Sequence, residues 1–111
     1  MNPFGAHIRS LIMFLTKEEL ELKYSKAKNA FEKCINYEEN EYLSDEIGFS
    51  VKDIIVKYDS VKIEYSYSSG ICLTSIKVLL LSEKNERIGT FTLVEDDNED
   101  IIDDILVFTS S

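Results

Sequence analysis

The hydrophobic period of this chain changes once, near residue 60, and that single change limits the fold more than any motif does. Before it, apolar residues recur three and four apart, the spacing of one helix face. After it they alternate with polar residues, the spacing of a strand with one buried side. Helices first and strands afterwards make an α+β layer fold, in which the helices cover one face of a sheet.

The helical half divides at its caps. Ile8, Leu11, Ile12 and Leu15 fall on one face of a short helix. Thr16-Lys17-Glu18-Glu19 is then a capping box: the threonine hydroxyl accepts from the amide three residues on, and Glu19 reaches back to the cap amide. Leu15 and Leu20 flank it as a hydrophobic staple. Leu20, Tyr24, Ala27, Phe31 and either Cys34 or Ile35 continue a stripe, with Lys23, Lys26, Lys28 and Lys33 on other faces, which predicts a helix over about 17–36. Residues 37–49 lose the period and read as an acidic loop ending at Gly48. Ser50 then caps a third short helix with Val51, Ile54, Ile55 and Tyr58 on one face, although the β-branched Ile54-Ile55-Val56 run suits a strand as well.

Beyond Ser60, Val61, Ile63, Tyr65 and Tyr67 alternate with polar residues and form a half-buried strand. Ser68-Ser69-Gly70 is a turn, and 71–81 is apolar on both registers, as in a central strand covered on both sides. A polar turn at 82–86 leads to a strand over 87–95, and an Asp96–Glu99 turn to another over about 101–109. Short connections between successive strands predict a meander. The expected architecture is one domain over 1–111, with N-terminal helices (about 1–59) packed on one face of a C-terminal four-stranded antiparallel meander sheet (about 60–111).

The totals exclude several function classes. With 111 residues there is room for one ordinary core, and a chain of this size folds without metal or disulfide support. Cys34 and Cys72 have no CxxC spacing and sit at apolar positions, so they read as buried thiols of a reduced, cytoplasmic protein. The apolar run from Leu11 to Leu15 is too short for a secretory leader and is followed by Glu18, Glu19 and Glu21 in place of a cleavage site. No stretch reaches the length of a membrane-spanning helix. The net charge of −9 disfavours direct contact with nucleic acid or anionic membrane and suits a basic partner.

Catalytic chemistry finds little to work with. His7 is the only histidine, and no nucleophile elbow, dinucleotide fingerprint or phosphate loop occurs among the four glycines. Asp96, Asn98 and Asp100 have the opening spacing of a calcium loop, but Ile101 stands where glycine is required and Val107 where the bidentate glutamate belongs. Paired carboxylates could cleave glycosides, yet there is no tryptophan to build a sugar platform. Tyr65 and Tyr67 share a strand face without the basic groove a base-stacking surface needs. The expectation is a non-enzymatic binding protein with no cofactor and no metal.

Charge distribution says where binding occurs. Glu95, Asp96, Asp97, Glu99, Asp100, Asp103 and Asp104 place seven acids in ten residues, and after Arg87 there is no lysine or arginine. A second cluster comprises Glu38, Glu39, Glu41, Asp45 and Glu46. A one-signed hairpin tip either steers a cationic partner or protects an exposed edge from unwanted pairing, and composition leaves both open.

Arg87–Phe108 adds a family to this picture. Ile88-Gly89, the alternating Phe91 and Leu93, an acidic turn, and Ile101-Ile102-Asp103-Asp104 before a hydrophobic strand resemble the C-terminal hairpin of small bacterial immunity proteins. These belong to polymorphic toxin and contact-dependent growth inhibition systems. Asp100 stands where that pattern more often carries a glycine–glutamate pair. The resemblance covers about a quarter of the chain and implies a cytoplasmic inhibitor of one cognate toxin, often a nuclease. The seven acids of 95–104 are then the first expected contact set and the 38–46 cluster the second. The alternative is a non-inhibitory adaptor or homodimeric assembly protein.

Overall fold

The computed structural model describes residues 15–36 and 53–109. Helix α1 spans Lys17–Ile35, and strands β1 (Ile55–Tyr65), β2 (Cys72–Leu81), β3 (Arg87–Glu95) and β4 (Ile101–Phe108) follow it. All three strand pairings are antiparallel, and the spatial order β1-β2-β3-β4 is the chain order. The fold is therefore the expected α+β arrangement, a helix followed by an open four-stranded meander. The expected helix over 8–15 (Leu15 apart) and the acidic loop over 37–49 lie outside the described residues.

Helix α1 starts where its cap dictates. The Glu19 amide donates to the Thr16 hydroxyl at 3.1 Å, and the Thr16 amide donates to the Glu19 carboxylate at 2.9 Å. Ala27, Phe31 and Ile35, four residues apart, are buried against the sheet. Opposite them, Ile76, Val78 and Leu80 of β2 and Phe91 and Leu93 of β3 complete the core. The Phe31 and Phe91 rings meet at 5.6 Å and 60°, a tilted contact suited to the ring quadrupoles. Tyr24 stacks on Tyr58 of β1 at 4.4 Å.

Three expectations need correction. The third helix does not extend over 54–58: Asp53 lies in a 3-10 turn, and Ile55–Tyr58 already belong to β1, paired with Leu81–Val78 of β2. Ile54, Val56 and Tyr58 all satisfy period 2, and the cross-strand hydrogen bonds, together with the β-branched preference for a pleated surface, override the helical spacing. The sheet thus begins five residues before Ser60, with a register shift between Tyr58 and Ser60. Secondly, Tyr67 is not in the strand but at the tip of the following turn, fully exposed. Thirdly, among the described residues β2 is covered on one side only: Ile76, Val78 and Leu80 are buried, while Leu73, Lys77, Leu79 and Leu81 on the other register are half-buried. Cys34 and Cys72 are likewise half-buried and not in a disulfide.

Candidate functional site: the acidic hairpin end

The β3–β4 turn is built by its own acids. The Asp96 carboxylate accepts the amides of Asn98 at 2.9 Å and Asp100 at 3.0 Å, which folds the backbone back on itself. The Asp96 amide donates to the Asp100 carbonyl at 2.9 Å, closing the ladder. Glu99 adopts the left-handed conformation, φ 65°, which costs a non-glycine residue about 1 kcal/mol.

What holds Glu99 there is the helix. Lys23 and Lys26 lie three apart on α1 and point to the same end of the sheet. Lys23 Nζ donates to Glu99 Oε2 at 3.3 Å, and Lys26 Nζ donates to the Glu99 carbonyl at 2.5 Å. The same two ammonium groups divide the Glu95 carboxylate: Lys23 takes Oε1, and Lys26 takes Oε2 at 2.7 Å. The Glu95 side chain is 1% exposed, so this carboxylate is desolvated and must be paired. Burial pushes the Glu95 carboxyl up, but the hydrogen bonds and charges of Lys23 and Lys26 outweigh it and leave it below the usual carboxylate range. Burial likewise lowers Lys23, and Glu95 with Glu99 more than restores it, so its ammonium is held above the ordinary lysine value.

The expected contact set therefore divides. Glu95 is structural, facing the helix and unable to reach a partner. Glu99 is shared, with a side chain 74% exposed but one oxygen on Lys23. Asp97, Asp100, Asp103 and Asp104 are exposed and Asp96 is half-buried, and none of these five makes an ion pair among the described residues. The exposed aliphatics Ile101, Ile102, Ile105 and Val107 lie beside them on β4. Glu38, Glu39, Glu41, Asp45 and Glu46 fall outside the described residues.

Lys23 and Lys26 were legible in the sequence only as solvated helix lysines. The signal that could have paired them with Glu95 was alternation along β3: Gly89, Phe91 and Leu93 point inward, and Glu95 is next in that register. No group of three or more potential metal ligands occurs among the described residues, and the Asp96 carboxylate is engaged by backbone amides instead. Burial, then the charge of Asp104, pushes the Cys34 thiol up and keeps it protonated. No helix among the described residues is long and apolar enough to cross a membrane. Comparison with protein-family models, with curated proteins and with solved structures gives no match to this chain.

Proposed function

We propose that this chain is an immunity protein of a bacterial contact-dependent growth inhibition or polymorphic toxin system. In this reading it binds one cognate toxin domain in the cytoplasm, a basic nuclease, and covers its active site or an adjacent surface. The observation that carries the reading is an acidic end pinned to the helix by two lysines, with its outward acids unpaired. A field fixed in place before encounter costs little ordering on binding and accelerates association with a cationic surface. Ile101 and Ile102 supply apolar anchors beside the turn, and such anchors hold complexes once formed. The resemblance of residues 87–108 to immunity-protein hairpins supports the same conclusion.

The test is co-expression of the tagged protein with the product of the neighbouring gene, followed by purification at low and high salt. A one-to-one complex with suppressed toxicity establishes the pairing; no complex sinks it and moves the adaptor reading ahead. Reversing the charge at Asp97 and Asp100 together slows association by about tenfold and flattens its salt dependence. Unchanged association kinetics remove these two acids from the interface. The adaptor or assembly reading has one observation in its favour, a second face of the sheet that none of the described residues covers.

A further inference from the structure

Helix α1 covers one face of the sheet, and among the described residues nothing covers the other. The charges on this outer face fall mainly by side, with Glu64 of β1 standing beside the lysines as the exception. Lys57 and Lys62 of β1 and Lys77 of β2 stand on one side of it, and Asp103, Ile105 and Val107 of β4 on the other. None of the three lysines is ion-paired among the described residues. The cross-strand register runs Lys62, Ser75, Val94, Asp103 in one row, so that row begins with a cation and ends with an anion. The next row runs Ser60, Lys77, Thr92, Ile105, and the one after it Lys57, Leu79, Thr90, Val107.

We propose that this face is a two-fold interface with a second copy of the chain. A two-fold axis parallel to the strands, over the seam between β2 and β3, lays each row on itself reversed. Lys62 then meets Asp103 of the second copy, twice in the dimer, with Ser75 against Val94 between them. The stem of Lys57 covers Val107, and Leu79 meets Thr90. An axis across the strands at the level of the Lys77 row would instead lay Lys77 on Lys77 and Lys62 on Lys57. Sheets stacked this way keep their strands within about 30° of each other.

The edge of β4 offers less to a second copy. The Asp104 amide is engaged by the Asp103 carboxylate at 2.9 Å, and acids at an edge oppose strand pairing. A face of four strands and about eight residues measures about 19 by 26 Å from the ordinary strand spacing and rise. Two such faces come to about 1,000 Å², the lower bound for a specific interface.

The proposal is independent of any toxin and is tested on the purified protein alone. Sedimentation velocity at physiological salt, where charges beyond about 8 Å are screened, follows mass as concentration rises from low micromolar to near millimolar. The expected result is a rise to twice the monomer mass. Lys62→Glu and Asp103→Lys, both on the exposed side of the sheet, each weaken dimerisation by about tenfold, and the two together restore it. Circular dichroism verifies that each variant is folded. A monomer throughout the range overturns the proposal, as does a dimer insensitive to both single substitutions. Failure here leaves the toxin reading standing, because that reading is judged by a heterologous complex.

Discussion

Glu95 shows how one side chain can change role when its neighbours are known. In sequence it is the first of seven acids in a run. In the fold it lies on the inward register of β3 after Phe91 and Leu93, and only two lysines from α1 make that position tolerable. Breaking a buried pair by removing one partner costs about 3–5 kcal/mol, chiefly through the charge left behind. Here the lysines left behind can turn partly to water, Lys26 being 34% exposed, so Glu95→Gln should cost nearer ~2 kcal/mol. Urea denaturation measures this; a loss below about 0.5 kcal/mol, the range of an ordinary surface change, would show that the pairing is not structural. The pH dependence follows from the two directions. The lowered Glu95 carboxyl contributes stability above the ordinary glutamate pKa, and that contribution is lost as pH falls through its depressed value. The raised Lys23 ammonium contributes below the ordinary lysine pKa and is lost as pH rises through its elevated value. Stability should therefore be level between these limits, and Glu95→Gln should flatten the acid limb in a melting series.

At the scale of elements, local signals and long-range pairing carried different parts of the fold. The capping box announced α1, and Thr16→Ala should cost about 1 kcal/mol, read by thermal melting, because it orphans one helix-end amide. Gly89 answers to packing instead. A Cβ there would collide with the Val107 carbonyl and press on Phe108, so Gly89→Ala must push β4 away from β3 and cost about 1–3 kcal/mol. Equal stability of the Gly89→Ala variant and the parent protein would mean that β3 and β4 are not so closely apposed. The three later strands were readable because polar turn residues bound each apolar run over 72–108. Residues 55–58 were not, since Ile54, Ile55 and Tyr58 satisfy a helix face as well as a strand. The decision lies some 20 residues further along, in the β2 partners Val78–Leu81. The same limit hid the lysine pair: its partner is 69 to 72 residues away in the chain. The acidic tip itself was plain in composition, but which of its members face outward depended on the register of β3.

For the whole molecule, the charge of −9 is not spread evenly. Acids gather at the end where α1 meets the β3–β4 turn, and lysines, with Glu64 among them, gather on the β1 side of the sheet face that no described residue covers. A toxin captured on Asp97, Asp100, Ile101 and Ile102 and a second copy on the outer face need not compete, because the dimer contact on β4 begins at Asp103, past the turn. If both proposals hold, a dimer carries two separate acidic ends and binds two toxin domains. A complex with the neighbouring gene product would then change from one-to-one to two-to-two as concentration rises, while Lys62→Glu holds it at one-to-one. Light scattering on the purified complex distinguishes the two; a two-to-two complex unaffected by Lys62→Glu would place the dimer contact elsewhere.

The lock between α1 and Glu95 also sets a clock. Lys23 leaves the ribosome 72 residues ahead of its partner, on the order of 4–14 s earlier at ~5–20 residues per second. During that interval the helix has its cap but neither the completed β2–β3 core nor the carboxylate that fastens it. A nascent chain of this protein is therefore without its finished acidic end until Glu95 and Glu99 have both emerged.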